Sequence, residues 1–215
     1  MTVLDDLRQS VIEGSRNQTQ DLVRKAIAEN LSAEQILKQG LISAMAEVGR
    51  LFECGEFYVP EMLIAARAMQ SGLSILRPYL VDAKVQAIGK VVIGTVQGDL
   101  HDIGKNLVAM MLEGAGFEVI DLGVDVPPEK YVQAVKEHHP DLVACSALLT
   151  TTMPRMKDII EALKGNGLRD QVKVLVGGAP VTESFANQIG ADLCAIDAAS
   201  ASTRAKELVI ELKKQ

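Results

Sequence analysis

Five short apolar segments alternate with helical segments after Gly89, and this alternation constrains the fold more than any other feature of the chain. Short strands of this kind are expected where helices cover both faces of a parallel sheet. We therefore predict a doubly wound α/β domain over residues 89–215, Rossmann-like or flavodoxin-like, with five parallel strands. The strands are predicted at Lys90–Thr95, Glu118–Asp121, Leu142–Ser146, Lys173–Val176 and Leu193–Ile196, and the helices near residues 104–115, 128–138, 153–165, 182–189 and 200–213.

The first 88 residues show helical periodicity and no strand-like pattern. Ser32 is followed three residues later by Gln35, a spacing that predicts the start of a helix. The last helix is predicted at Glu61–Leu76, with Pro78 and the stretch 81–89 forming a linker. Four helices with short connections indicate a four-helix bundle as a separate domain.

Composition excludes several classes of function. The formal charge of −6 disfavours binding to nucleic acid, which needs clustered Lys and Arg. We expect no contact with a membrane either, because no apolar run reaches the roughly 18 residues that span a bilayer. The cysteines Cys54, Cys145 and Cys194 form no CxxC pair, and no secretory signal is visible. We therefore expect a cytoplasmic protein.

The loop after the first strand carries the clearest chemical signal. His101 lies in the run Gly98–Gly104, and Asp99 is close enough to hydrogen-bond its imidazole. A carboxylate in that position fixes the tautomer of a metal-bound histidine and raises its basicity. Helix capping by His101 is a structural alternative. A metal phosphohydrolase is a chemical one, but it needs further ligands, and the adjacent pair His138 and His139 is predicted to lie on the surface at a helix end.

Two later strands also end in residues that could face a ligand. Ser146 is the last residue of the third strand and Leu148 follows it, ahead of the hydroxyl run Thr150–Thr152. That run could equally cap the next helix. Gly177 and Gly178 follow the fourth strand and would allow close approach of a ligand, although many α/β turns contain such a pair.

The three segments together are more specific than any one of them. Asp-x-His-x-x-Gly is followed after 41 residues by Ser-x-Leu, and after 28 more by Gly-Gly. In this the chain resembles the corrinoid-binding proteins of the methionine-synthase type. It is similar in particular to the corrinoid subunits of methanol, methylamine, glycine betaine and aryl methyl ether (O-demethylase) methyltransferase systems. The resemblance extends over both halves of the chain.

The resemblance implies a cobalamin or related corrinoid bound base-off and His-on, with His101 as the axial ligand to cobalt. It implies a relay from His101 through Asp99 to Thr152, which adjusts the proton on the imidazole. Other residues are implied to contact the cofactor: Gly104, Ser146, Leu148, Gly177 and Gly178 around the nucleotide tail, Thr150 at the corrin edge, and Gly98, Asp102 and Ile103 in the ligand loop.

In the helical half the resemblance implies a cap over the upper face of the corrinoid, with Phe52 and Val59 as its side chains; both could instead be plain bundle core. It implies a methyl carrier for one-carbon metabolism, not an enzyme on its own. Such a carrier accepts a methyl group on cobalt(I) from a substrate-specific methyltransferase. It presents that group to a second methyltransferase, acting on tetrahydrofolate or coenzyme M, and depends on a reductive activase.

One pair of residues departs from the family pattern, and two other corrinoid proteins are alternatives. Leu193 and Cys194 stand where relatives usually carry Gly-Tyr, which leaves the lower base of the corrinoid undetermined. A mutase-type corrinoid subunit usually comes with a barrel domain, which this chain lacks. A cobalamin-binding regulator carries a basic DNA-binding segment, which is absent from a chain of charge −6.

Overall fold

The computed structural model describes residues 2–214, and the chain divides into two compact units between Gln86 and Ala87. The first unit is helical, and the second is a parallel sheet with helices on both faces. Both the helical N-terminal part and the α/β architecture were predicted, and both are confirmed. Within residues 2–214, no helix is both long enough and apolar enough to cross a membrane.

The first unit consists of four helical rods. The third is continuous: it begins as α3, passes through a π-helical segment at Ile36–Ile42 and continues as α4. The rods bury apolar side chains at helical spacing, as expected for a bundle. Their bounds are Val3–Ile12 (α1), Arg16–Ala28 (α2), Ala33–Gln35 (α3), Ser43–Glu53 (α4) and Val59–Asp82 (α5).

The start of the third rod is where the sequence placed it. The Ser32 hydroxyl accepts a hydrogen bond from the backbone N–H of Gln35, and the Gln35 side chain accepts one from the N–H of Ser32, both at 3.2 Å. Each bond satisfies a backbone N–H that has no partner within the helix. Thr2 and Asp5 form the same reciprocal pair at the start of α1.

The last helix is longer than predicted, and the linker is correspondingly shorter. α5 runs through Pro78 and ends at Asp82 instead of Leu76. Proline removes one hydrogen bond from a helix interior, but the buried face of α5 continues up to Leu76 and packs against α2. That packing holds the helix up to Pro78, and one more turn follows, closed by the N–H of Ala83 on the carbonyl of Tyr79 at 3.0 Å. The expectation of a break at Pro78 is therefore wrong.

The second unit contains one sheet whose strands are all parallel, in the order β2-β1-β3-β4-β5. This is the flavodoxin-like order of a doubly wound fold. The strands are Lys90–Thr95 (β1), Glu118–Asp121 (β2), Leu142–Ser146 (β3), Lys173–Gly177 (β4) and Leu193–Ala195 (β5). The helices are Ile103–Gly114 (α6), Pro128–His138 (α7), Pro154–Gly165 (α8), Glu183–Ile189 (α9) and Ala198–Leu212 (α10), with a 3-10 turn at Arg169–Gln171.

Each face of the sheet carries its own hydrophobic core. On one face, apolar residues of the strands pack with α7, α8 and α9. On the other they pack with α6 and α10, through Leu112 and Val209 among others. The two residues that depart from the family pattern divide between these cores: Cys194 is buried in the first, and Leu193 packs, half-buried, against the second.

Candidate functional site

The site lies at the carboxyl ends of β1 and β3, which are neighbours at the centre of the sheet. The chain order reverses there, and ligands of doubly wound folds bind at this switch point. The loop after β1 is tied to its surroundings by backbone and hydroxyl bonds. The N–H of Val96 donates to the carbonyl of Ser146 at 3.0 Å, and the Thr95 hydroxyl donates to the carbonyl of His101 at 2.9 Å.

His101 is held by Asp99 and leaves one ring nitrogen free. Its Nδ1 lies 2.7 Å from Oδ1 of Asp99, and its backbone N–H donates to the same oxygen at 3.1 Å. Because a carboxylate accepts, Nδ1 carries the proton in the neutral ring, and Nε2 has a free lone pair. The side chain is 51% exposed. His101 does not cap α6, since Asp102 is the N-cap residue and no side chain caps that end.

Asp99 is fully buried and joins the loops after β1 and β3. Its second oxygen, Oδ2, accepts from the backbone N–H groups of Leu148 and Leu149 at 2.8 and 3.3 Å and from the Thr152 hydroxyl at 2.7 Å. The chain of hydrogen bonds from His101 through Asp99 to Thr152 is therefore present. The hydroxyl of Thr152 is directed to Asp99, and α8 has no side-chain cap, so the capping alternative does not hold for this residue.

These hydrogen bonds decide the charge of Asp99. Burial alone would raise the pKa of the carboxyl group, but the bonds from Thr152, from His101 and from the backbone of Leu148 outweigh it and hold the pKa well below its usual range. Asp99 is thus an ionised carboxylate at neutral pH. It can stabilise a proton on Nδ1 while Nε2 serves as a ligand.

Apolar side chains are exposed at this edge of the sheet. Of the large hydrophobic residues that are exposed between residues 87 and 214, all but Ile210 lie beyond the carboxyl ends of the strands, in loops or, for Ile103, at the first residue of α6. A soluble domain rarely gathers exposed apolar surface in one place unless something covers it. These residues are Leu100, Ile103, Val124, Leu148, Leu149 and Ile196.

The histidine is not part of a larger cluster of metal ligands. In the described part of the chain there is no group of three or more His, Cys, Asp or Glu residues that could hold a metal ion. His138 is the last residue of α7, and His139 caps that helix in the left-handed conformation. A phosphohydrolase-type centre, which needs several protein ligands, is not formed by these residues.

Comparison with known proteins identifies the family. A model of the B12 binding domain matches residues 89–206, and a second model with the same description matches residues 3–77. The chain is 43% identical over 208 residues to dimethylamine corrinoid protein 3 of Methanosarcina acetivorans, with 97% of each chain covered. The chain belongs to the B12-binding family of corrinoid proteins.

Solved structures of this family have the same fold. A cobalamin-binding protein from Desulfitobacterium hafniense superimposes with a TM-score of 0.80 at 33% identity, covering 96% of this chain and 98% of that one. The methanol:cobalamin methyltransferase complex from Methanosarcina barkeri contains a chain that superimposes with a TM-score of 0.87 at 28% identity, covering 97% of this chain and 80% of that one.

The fold requires glycine at one position of the corrinoid motif, Gly178, but not at another, Gly104. Gly178 has φ +133°, and a Cβ there would lie 1.9 Å from the carbonyl oxygen of Ala147, so the fold itself requires glycine. Gly104 lies in the first turn of α6 with nothing within 4 Å of the position of a Cβ. The fold gives no reason for Gly104, whereas open space one turn from His101 fits a corrinoid that passes close to the helix.

The other predicted site residues lie at the same edge of the second unit or in the first unit. Ser146 and Gly177 are half-buried at adjacent strand ends, Thr150 is exposed after β3, and Gly98, Asp102 and Ile103 surround His101. Phe52 lies half-buried in the last turn of α4. Val59 is the first residue of α5 and is 39% exposed. The sequence missed Asp125, whose carboxylate accepts from the N–H of Gly98 at 2.7 Å. No local pattern marks this contact, because it joins two loops that are distant in sequence.

Replacing Gly104 by Ala should affect the stability of the corrinoid-free protein and its affinity for the corrinoid differently. We expect the corrinoid-free protein to become more stable, or to stay unchanged, with a gain of at most about 1 kcal/mol, because Ala favours a helix and meets no atom here. Corrinoid affinity should fall about tenfold or more, since the methyl group occupies the open space. Urea unfolding and cobalamin titration measure the two effects.

Gly165→Ala is the matched control, because Gly165 ends α8 and also has nothing within 4 Å of a Cβ. It should leave corrinoid affinity unchanged. Wild-type affinity in Gly104→Ala would contradict a cofactor that passes close to this helix.

Proposed function

We propose that the protein is a methyl carrier that holds a corrinoid through His101. One observation carries this: a single half-exposed imidazole, with Nε2 free and Nδ1 bonded to a buried carboxylate, lies at the switch point of the sheet among exposed apolar side chains. Such an arrangement would let His101 hold the metal of a flat macrocycle that apolar side chains cover. Nε2 would replace the cofactor's own lower base, so that the cofactor would be bound base-off and His-on.

The corrinoid, when bound, supplies the chemistry of accepting and donating a methyl group at cobalt. The residues of the chain hold and tune it. His101 provides Nε2, Asp99 fixes the tautomer, and the Thr152 hydroxyl withdraws electron density from Asp99 through its hydrogen bond. Together these three residues set how strongly the imidazole donates to the metal.

The remaining site residues accommodate the rest of the cofactor. We assign the nucleotide tail to the strand ends between the central strands and α6, where Gly104 leaves open space and Ser146 and Gly177 lie side by side. Leu148, Gly178 and Thr150 complete that edge, and Gly98, Asp102 and Ile103 position the loop against the corrin ring. Leu193 already packs in the core beside α10, so its side chain has a structural role whichever lower base is bound.

The carrier works with other proteins and is not an enzyme on its own. It accepts a methyl group from a substrate-specific methyltransferase and presents it to a second one, which methylates tetrahydrofolate or coenzyme M. A reductive activase restores the reduced cofactor. One relative, 43% identical over 97% of both chains, is a dimethylamine corrinoid protein. This similarity favours a methylamine as the methyl donor. We place this role in the cytoplasm, in keeping with three free cysteines.

In the helical unit, Phe52 and Val59 are assigned to cover the upper face of the corrinoid. They flank the connection between α4 and α5, where apolar side chains are exposed: Tyr58 is 67% and Val59 39% exposed. Apolar cover keeps water from a reactive ligand, and it must open when a methyltransferase engages.

Replacing His101 by Ala tests the ligand assignment. The protein is labelled with 15N-histidine, reconstituted with hydroxocobalamin and reduced to cobalt(II). The wild type should then show an electron paramagnetic resonance spectrum with hyperfine splitting from one axial 15N nitrogen, which the unlabelled base of the cofactor cannot give. His101→Ala should lose that splitting while keeping part of the bound cofactor. His138→Ala, which removes a histidine from the end of α7, should behave as wild type. A protein that stays colourless after reconstitution would end the proposal.

Replacing Thr152 by Val tests the hydrogen-bonded relay. Without the hydroxyl, Asp99 accepts more strongly from Nδ1, the imidazole donates more strongly to cobalt(II), and the cobalt(II)/cobalt(I) midpoint potential should become more negative. We expect tens of millivolts, where about 59 mV is a tenfold change for one electron. Thr152→Ser keeps the hydroxyl and should stay close to wild type. Equal potentials in the Val and Ser variants would refute the relay.

Replacing Val59 by Ala together with Phe52 by Ala tests the cover. The methylated double variant should lose its methyl group severalfold faster than wild type under the same illumination in air, because water and dioxygen reach the cofactor more easily. Val81→Ala is the control for the valine change, made at an exposed residue near the other end of α5. If the double variant and Val81→Ala decay at the same rate, Phe52 and Val59 do not provide the cover.

A further inference from the structure

The loop after β2 holds the histidine-bearing loop from the side. The Asp125 side chain accepts from the N–H of Gly98 at 2.7 Å, and the backbone N–H of Asp125 donates to the carbonyl of Asp99 at 3.0 Å. The dipeptide Gly98-Asp99 is therefore held at both ends by one residue of a neighbouring loop. Gly98 has φ +82°, a conformation that glycine adopts readily and that other residues rarely adopt.

The loop that carries Asp125 is itself anchored to β1. Val126 forms an isolated parallel bridge with Val96, its N–H donates to the carbonyl of Thr95 at 3.0 Å, and the N–H of Thr95 donates to the carbonyl of Gly123 at 2.9 Å. Val126 is buried in the core between the sheet and α7, α8 and α9. The loop on both sides of Asp125 is therefore fixed to β1. The two hydrogen bonds of Asp125 hold Gly98 and Asp99 in place relative to that loop.

Asp125 adopts a conformation that is unfavourable for most side chains. Its φ is +53°, in the left-handed region, which for a non-glycine residue costs on the order of 1–2 kcal/mol, less for Asp and Asn. The residue is exposed, and within residues 2–214 the only hydrogen-bond partner found for its side chain is the N–H of Gly98. Strain of this kind is retained where the surrounding structure uses the resulting geometry, often at functional sites.

We infer that Asp125 is a positioning residue for the cobalt ligand, acting through Gly98 and Asp99. This rests on the proposed function, because it requires His101 to be the axial ligand. With Gly98-Asp99 fixed, the Asp99 carboxylate meets Nδ1 of His101 at one angle, and Nε2 points in one direction. Without the side-chain acceptor, the dipeptide can rotate, and the imidazole is presented to the metal for a smaller fraction of the time.

Two substitutions separate the side chain from the backbone. Asp125→Gly keeps the left-handed conformation at no steric penalty and removes the acceptor. Asp125→Asn keeps both, since Asn tolerates that conformation and its carbonyl oxygen can accept from Gly98. Asn30→Gly is the control for the change to glycine, because Asn30 is an exposed left-handed residue (φ +60°) in the helical unit.

The readout is the ratio of His-on to His-off cobalt(II), measured by electron paramagnetic resonance on 15N-histidine-labelled protein loaded with cobalamin, in which only a histidine ligand gives 15N splitting. We expect Asp125→Gly to lower that ratio about three- to tenfold, the effect of one hydrogen bond, and Asp125→Asn and Asn30→Gly to stay within about twofold of wild type. In the corrinoid-free protein, hydrogen exchange at the N–H of Gly98 should be faster in Asp125→Gly and unchanged in Asp125→Asn.

The outcomes distinguish this inference from the proposed function. A His-on signal in the wild type with an equal ratio in Asp125→Gly overturns the positioning role and leaves the carrier function standing. An equal loss in the Gly and Asn variants overturns it as well, since it means that the carboxylate charge, not the acceptor, matters. Absence of a signal split by the 15N of histidine in the wild type refutes the proposed function, and the positioning role with it.

Discussion

The arrangement at the strand ends depends on one buried charge. The carboxylate of Asp99 has no exposure to solvent and stays ionised because five hydrogen bonds reach its two oxygens, from His101, Leu148, Leu149 and Thr152. A buried carboxylate without such partners would be too unfavourable to persist. The loops after β1 and β3 must therefore stay together, and the histidine is oriented by the same interaction that closes the loops.

That interaction is possible only in this strand order. Asp99 and Thr152 are separated by 53 positions and by a complete β-α-β unit, yet β1 and β3 pair directly, with Thr95 opposite Ser146. The loops after these two strands are neighbours, and the donors of one meet the acceptor of the other. With β2 on the other side of β1, the loop that carries Asp125 reaches Gly98 from the opposite direction. The loop that carries His101 is thus held from both sides by the topology of the sheet.

The sequence allowed most of this to be predicted, for reasons that differ from residue to residue. Short apolar segments between helical ones are recognised directly in the sequence. All five strands were therefore predicted, with ends that differ from those of the structure by at most one residue. The pair Asp99 and His101 followed from local spacing, and Thr152 from the resemblance to a family. Neither route could find Asp125, because its contact with Gly98 joins two loops and has no local pattern. The end of α5 was missed because Pro78 removes one hydrogen bond without ending a helix whose preceding turns are held by packing.

Several residues that we propose to contact the corrinoid have no reason in the fold alone. The fold requires glycine at Gly178, since any side chain there would clash with the carbonyl oxygen of Ala147. The fold does not require Gly104 or the exposed side chains of Leu100 and Ile103. A glycine in open space weakens a helix, and exposed apolar surface is unfavourable in water. A ligand that binds only the folded state offsets both by mass action, and the gain grows with its concentration relative to its Kd. The stability of the second unit is therefore linked to its cofactor through the same residues that give the site its shape.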